Sequence, residues 1–168
     1  KELYADPARA DKPVAATAGG SGSGKSNILR QAAEQTGKTL QDEYAMVHDI
    51  NFNKYDSVMG AIKRAFDKGH NFETSYVWLD PLIAWERVLG RVKSQDRIVP
   101  IVEHVNTHKN SLPTVARVNA ELINDPRWRL KIYDNSFGKG KQKLLEHLDE
   151  VPTFDYTKIE DKLYEQTK

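Results

Sequence analysis

Short apolar runs alternate with longer amphipathic stretches along this chain. Four apolar runs are each followed by glycine, asparagine or aspartate, and they are residues 14–18, 44–50, 72–79 and 129–133. Runs of this length that end at turn-forming residues are typical of buried strands. Helix-forming stretches predict helices at residues 26–35, 56–68, 81–91, 101–108, 113–122, 141–148 and 156–166. The alternation predicts a three-layer α/β fold, with a mostly parallel sheet flanked by helices.

Two aspartates mark predicted helix starts. Asp80 precedes Pro81, and this pair predicts an N-cap followed by proline at the first helical position. Asp56 is expected to be the N-cap of the helix over residues 56–68. The letters of residues 53–56 also match the N-K-x-D segment with which GTPases read the base, but the segment does not follow a strand in the required place. We therefore interpret Asp56 as a helix cap.

Composition and charge narrow the class of protein. The chain has 168 residues, with 25 Lys+Arg against 24 Asp+Glu and no cysteine. One domain is expected over residues 1–168, with residues 1–13 as a polar lead-in, and cysteine-based metal, redox or nucleophilic chemistry is excluded. The net charge of +1 argues against a dedicated duplex-DNA binder, and nucleic acid is not the expected partner. Because no apolar run reaches the ~18 residues of a membrane span, we expect no membrane contact and a cytoplasmic location.

The most specific motif lies between the first predicted strand and the first predicted helix. It fits G-x-x-x-x-G-K-[ST] and consists of Gly19, Gly20, Ser21, Gly22, Ser23, Gly24, Lys25 and Ser26. Glycines let the backbone wrap closely, so that successive N–H groups point at phosphate oxygens, and the helix that follows adds its positive dipole end. Lys25 is expected to reach the β- and γ-phosphates of ATP, and the Ser26 hydroxyl to bind Mg²⁺. The motif predicts a P-loop nucleotide-binding fold.

Asp49 ends the predicted strand that follows the loop helix. Its position predicts that it lies near the terminal phosphate and the metal. A carboxylate there can accept the proton of a substrate hydroxyl, or hold Mg²⁺ through water. Asp49 is therefore a candidate catalytic residue and, with Ser26, a candidate metal ligand.

Arginines follow the third predicted strand. Arg87, Arg91 and Arg97 lie on a helix end and a polar segment, with Arg117 further along the chain. Arginines on a segment that closes over a transferring phosphoryl group neutralise its charge. They predict a lid over residues 91–113 and favour phosphoryl transfer.

Two weaker features concern histidines and an asparagine. His104 and His108 are four residues apart on a predicted helix, a spacing that can bind a metal, but no third ligand is evident, so a packed pair is favoured. Asn135 follows the last predicted strand, at the edge where open α/β sheets bind ligands, and is a candidate contact for the nucleotide base.

The order of segments over residues 13–138 resembles the zeta-toxin family of P-loop kinases. In chain order, the segments are VAATAGGSGSGKS, VHDINF, GHNFETSYVWLDPLIAWERVLGR, RIVP and YDNS. The resemblance implies that Lys25 and Ser26 bind phosphate and magnesium, that Asp49 is a catalytic or substrate-orienting carboxylate, and that Arg91 and Arg97 are lid cations. It further implies an ATP-dependent kinase acting on a hydroxyl of a small molecule such as a nucleotide sugar or a dinucleotide. Many relatives are toxins held by an antitoxin, and others are secreted effectors that act in a target cell.

The chain departs from the family pattern in its middle region. The family usually has two strands with acidic ends between the loop helix and the "yVwlDP" strand, and this chain has room for one. Asp49 fits the first strand by its spacing from Lys25, as a base, and the second by its surroundings, as a substrate-positioning group. Two other functions stay open: a polynucleotide or RNA-end kinase, and a nucleotide-binding regulatory domain without phosphoryl transfer.

Overall fold

Strands and helices alternate around a single sheet in the computed structural model, which describes residues 10–95, 99–138 and 140–168. The strands are β1 (Val14–Ala18), β2 (Met46–Asp49), β3 (Phe72–Trp78), β4 (Trp128–Asp134) and β5 (Lys143–Leu145). The helices are α1 (Lys25–Gln35), α2 (Leu40–Glu43), α3 (Tyr55–Asp67), α4 (Pro81–Gln95), α5 (Ile101–Leu122) and α6 (Ile159–Thr167). The sheet order is β2-β1-β3-β4-β5, in which β1 to β4 are parallel and β5 is antiparallel to β4.

Helices cover both faces of the sheet, which confirms the predicted three layers. On one face, Val14 and Ala16 of β1 belong to a buried cluster with side chains of α3 and the second half of α5. On the other face, Ala15 packs against Ile28 and Leu29 of α1. The β1 strand is buried on both faces, as expected for the centre of a parallel sheet, and this explains its uninterrupted apolar sequence.

The helix that carries Pro113 differs from its prediction. Two helices were expected, over residues 101–108 and 113–122, but α5 is continuous through Pro113. Proline removes the donor for the carbonyl four residues earlier, that of Lys109. Both Pro113 and Lys109 lie on the exposed side of α5, so water can bind that carbonyl and the helix continues.

The predicted C-terminal pair of helices over residues 139–168 is also corrected. Residues 143–145 form β5 in place of the helix expected over residues 141–148, and a 3₁₀ turn follows at Leu148–Glu150. The edge of β4 offers unpaired backbone groups, and Leu145 fills this edge by pairing with Ile132. Sheet pairing therefore overrides the local helix pattern, and α6 is the α-helix that remains in this region.

Of the two predicted helix caps, one is confirmed and one is wrong. The Asp80 cap is confirmed, because its carboxylate accepts the N–H of Leu82 at 2.8 Å. The predicted Asp56 cap is wrong, since α3 begins one residue earlier, with Lys54 as its N-cap. The short helix α2 was not predicted, although Thr39 and Asp42 form a capping box at its start.

Candidate phosphate-binding and acceptor site

The G-x-x-x-x-G-K-S segment leaves the carboxyl end of β1 and enters α1 directly. Gly24 is the N-cap of α1 and has φ 93°, in the left-handed region that glycine tolerates best. A Cβ at Gly24 would lie 2.5 Å from the amide nitrogen of Asn135, and a Cβ at Gly20 would lie 2.2 Å from the ring of His108. Neighbouring side chains therefore enclose the loop so closely that these two positions accept no side chain.

Asp49 lies directly beside the start of α1. Its Oδ2 accepts the hydroxyl of Ser26 at 2.9 Å, and its Oδ1 accepts the hydroxyl of Thr17 at 3.0 Å. Thr17 is the register partner of Asp49 in the β1–β2 pair, so sheet pairing itself brings the carboxylate to the loop. The two hydrogen bonds fix the orientation of the carboxylate in front of the helix N-terminus.

Ser26 and Asp49 offer the oxygen donors that Mg²⁺ prefers. Across residues 10–95, 99–138 and 140–168, no three His, Asp or Glu side chains form a cluster that could hold a metal by themselves. Mg²⁺ in nucleotide sites keeps several waters and binds one or two protein groups together with phosphate oxygens. The donor set therefore fits a magnesium ion that arrives with a nucleotide.

Two clefts meet at Arg91 of α4. The central cleft, of about 190 Å³, is lined by Lys25, Ser26, Asp49 and Arg91 together with Glu103 of α5. The flanking cleft, of about 310 Å³, is also lined by Arg91. Its other polar side chains include those of Asn27, Gln31, Arg87, Asn135 and Gln142. One arginine thus borders both the cleft at the Ser26–Asp49 pair and the cleft beside α1.

A third cavity, the strand-end groove, lies on the other side of Asp49. It has a volume of about 520 Å³ and shares Asp49 and Glu103 with the central cleft. Its walls include the cationic side chains of Lys54 and Arg64. The groove therefore adjoins the central cleft at two carboxylates, and its own walls carry positive charge.

Two features make the wall of this groove unusual. The buried Nε2 of His48 forms no hydrogen bond, and burial, with a smaller effect of Arg64, lowers the pKa of His48 below its ordinary value. Phe52 has φ 61° although it is not glycine, and its side chain is almost fully buried. A left-handed aromatic residue stores backbone strain, and such residues concentrate at functional sites.

The structure brings most of the predicted site residues together. Five residues of the loop line the central or the flanking cleft together with Asp49 and Arg91, and they are Ser21, Gly22, Gly24, Lys25 and Ser26. Gly19, Gly20 and Ser23 belong to the same loop but line neither cleft. Arg97 lies outside the described residues. Arg117 lies elsewhere, with its guanidinium 3.5 Å above the ring of Tyr55 and its Nε 3.7 Å from Glu121. The expectation that Arg117 extends the arginine set of the site is therefore wrong.

Asn135 contacts the loop itself. Its side-chain amide is buried and donates to the carbonyl of Ser23 at 2.8 Å, and its backbone N–H donates to Trp78 at 2.9 Å. It also lines the flanking cleft, where a nucleotide base was expected. The sequence did not indicate this hydrogen bond between Asn135 and the Ser23 carbonyl.

Most of the predicted lid over residues 91–113 is helical. Residues 91–95 end α4, and residues 101–113 belong to α5. His104, Thr107 and His108 of α5 are buried beneath the loop. The sequence did not indicate these loop contacts, because they join residues more than 80 positions apart in the chain.

The histidine pair of α5 is a packed pair. The rings of His104 and His108 lie 4.5 Å apart. Burial lowers the pKa of both, that of His108 to about 3, so both are neutral near pH 7. The metal-site alternative for this pair finds no third ligand among the described residues.

A match to a family model and a similarity to a solved structure both agree with the α/β fold described above. The family model described as Zeta toxin matches residues 37–137. This segment begins after the phosphate loop, so the loop motif and the family match are separate observations. No curated protein sequence matches the chain significantly.

The fold is similar to that in the crystal structure of AvrRxo1-ORF1 with AvrRxo1-ORF2 and sulphate ions. The TM-score is 0.63 at 13% identity, and the match covers 93% of this chain and 63% of that chain. At this identity the likeness is one of fold, and the present chain spans less than two thirds of the other. Within the described residues no helix is both long and apolar enough to cross a membrane.

Proposed function

The chain belongs to the zeta-toxin family of P-loop kinases, and from this premise we propose that it transfers the γ-phosphoryl group of ATP to a hydroxyl of a small molecule. The observation that carries the proposal is the 2.9 Å hydrogen bond between Ser26 and Asp49. It joins the phosphate loop to the acidic end of β2 within one cleft, next to Lys25 and Arg91. Nucleotide, metal and acceptor would all meet at this point.

The loop and its helix would hold the phosphates of ATP. Backbone N–H groups at the start of α1 and the ammonium group of Lys25 would bind the β- and γ-phosphates. Ser26 and Asp49 would hold Mg²⁺, and the ion would neutralise negative charge on the phosphates during transfer. Arg91 would add a positive charge over the transferred group from the α4 side.

The nucleoside would occupy the flanking cleft. Its lining has side-chain amides from Asn27, Gln31, Asn135 and Gln142, groups that can both donate to and accept from a base or ribose. The cleft lies next to Gly24 at the beginning of α1, as a nucleoside attached to loop-bound phosphates requires. This arrangement supports the expectation that Asn135 borders the nucleotide.

The acceptor would occupy the strand-end groove. Lys54 and Arg64 suit an acceptor that carries phosphate groups, such as a nucleotide sugar or a dinucleotide. Because both carboxylate oxygens of Asp49 already accept hydrogen bonds, Asp49 is better suited to hold the metal and orient the acceptor than to remove its proton. Glu103, which lines both the groove and the central cleft, supplies a second carboxylate for the proton.

A protein partner is part of the proposal. The similar structure is a complex of AvrRxo1-ORF1 with AvrRxo1-ORF2. By analogy, an antitoxin protein would bind over the clefts of this chain and block its kinase activity. Both proteins would then be in the cytoplasm, where ATP is available. Purification of the chain with candidate neighbouring gene products would show whether a stable complex forms and whether it blocks nucleotide binding.

The test of the function is transfer from labelled ATP to a panel of nucleotide sugars, dinucleotides and oligonucleotides. Lys25→Ala and Asp49→Ala should each lower the rate by about 10²-fold or more, because each removes a charge that acts on the phosphoryl group. Lys109→Ala and Asp56→Ala are matched controls at exposed positions outside the clefts and should retain the wild-type rate.

Each outcome of this test has a defined meaning. Unchanged transfer in both Lys25→Ala and Asp49→Ala would refute the mechanism. Label in oligonucleotides alone would favour an RNA-end kinase. Tight ATP binding without label in any acceptor would favour a regulatory nucleotide-binding domain.

A further inference from the structure

Three side chains of α5 bind one residue of the phosphate loop, Ser21. The hydroxyl of Ser21 lies 2.5 Å from Nδ1 of His104, and the Ser21 carbonyl lies 2.8 Å from Nε2 of His108. The Ser21 N–H donates to the hydroxyl of Thr107 at 3.1 Å. Every polar group of Ser21 is thus held by α5, although the two segments lie more than 80 positions apart in the chain.

His104 also reaches a second element. Its Nε2 lies 2.8 Å from the carbonyl of Pro81, the first residue of α4. A carbonyl oxygen accepts only, so Nε2 carries the hydrogen, and Nδ1 accepts the hydrogen of the Ser21 hydroxyl. One neutral tautomer therefore satisfies both bonds, and the ring is fully buried between the loop and the start of α4.

The two elements that His104 joins carry the charges of the site. The loop leads into Lys25 and Ser26, and α4 carries Arg87 and Arg91. The same two elements also touch at Gly22, where a Cβ would lie 2.4 Å from the carbonyl of Ala84. Any sliding of α4 along the loop would alter where Arg91 lies relative to Lys25.

We propose that His104 is a positioning residue that fixes helix α4 against the phosphate loop, so that Arg91 faces the phosphoryl group that Lys25 and Ser26 hold. The proposal rests on the proposed kinase function for its catalytic consequence. The fixation itself is a property of the protein without substrate.

The decisive variants differ in hydrogen bonding at similar size. His104→Leu removes both bonds and keeps an apolar side chain in a buried position. His104→Gln keeps one acceptor and one donor, which can again bind Ser21 and Pro81. Ser111→Ala is the matched control, because Ser111 is equally buried on α5 and its hydroxyl has no hydrogen-bond partner within the described structure.

Steady-state kinetics separates positioning from binding. His104→Leu should lower kcat by about 10- to 100-fold, with a change in KM for ATP of about threefold or less, since small displacements of a charged group cost rate more than affinity. His104→Gln should recover most of the loss, and Ser111→Ala should match wild type. Wild-type kcat in His104→Leu, or an equal loss in Ser111→Ala, would overturn the proposal.

Amide hydrogen exchange tests the fixation even without transfer. In the unliganded protein, His104→Leu should speed exchange by about tenfold in residues 19–26 and at the start of α4, while β3 and β4 keep their wild-type protection. Unchanged exchange in the loop and α4 would overturn the positioning role. If wild-type protein transfers no phosphate yet exchange changes as expected, the kinase function fails and the fixation stands.

Discussion

Acidification should destabilise this protein through His108. The imidazole lies beneath Gly20 and donates to the carbonyl of Ser21. Burial, with a smaller contribution from His104, lowers the pKa of His108 from 6.5 to about 3 in the folded protein. The folded protein therefore disfavours the protonated form of this ring. Because the ring lies beneath the phosphate loop, protonation would disturb the packing under that loop.

The sign and size of the effect follow from the two pKa values. Well above pH 6.5 the ring is neutral in both the folded and the unfolded chain, and its protonation does not affect stability. As the pH falls from 6.5 towards 3, the unfolded chain takes up the proton and the folded chain does not, so stability falls. From pH 8 to pH 5 the free energy of unfolding should drop by about 2 kcal/mol on account of His108.

Urea denaturation at several pH values, followed by tryptophan fluorescence, measures this drop. His108→Gln keeps an N–H donor for the Ser21 carbonyl and cannot be protonated in this range. All other ionisable side chains are the same in both proteins, so the difference between wild type and variant reports on His108. Wild type should lose about 2 kcal/mol more than the variant between pH 8 and pH 5. Parallel stability curves for the two proteins would refute the reasoning.

Three further predictions test contacts around the loop and one remote helix. Gly20→Ala should abolish ADP binding, because the added Cβ would lie 2.2 Å from the His108 ring. The double variant Gly20→Ala, His108→Ala should bind ADP again, and calorimetric titration measures the affinity of both variants. Asn135→Ala should weaken ADP binding about tenfold or more, because the buried Ser23 carbonyl loses its donor, and equal affinity would contradict this. Thr39→Ala should lower stability by about 1 kcal/mol in thermal unfolding without changing ADP affinity.

Local sequence patterns were sufficient wherever a short segment fixes its own structure. The phosphate loop needs glycines at set positions followed directly by a helix, and residues 19–26 contain both signals. Asp80 caps α4 through the N–H of Leu82, two residues away. Since such contacts span only a few positions, periodicity and residue type reveal them.

Two of the failed predictions, at residues 143–145 and at Pro113, concern segments whose structure depends on the rest of the fold, and one concerns the exact start of a helix. Residues 143–145 were expected to be helical. They form a strand because the edge of β4 is available for antiparallel pairing. Asp56 was expected to cap α3, which starts earlier at Tyr55. Pro113 was expected to separate two helices, and solvent exposure at that point lets one helix continue. Exposure and pairing depend on the whole fold.

The sequence by itself determined the position of the glycine-rich loop between β1 and α1, the parallel sheet that presents it, and the place of Asp49 at the end of the next strand. Tertiary structure decided which side chains hold that loop. The contacts of Ser21 with His104, Thr107 and His108 join residues 83 to 87 positions apart. No local pattern specifies such a pairing, because it arises only when α5 packs beneath the end of β1.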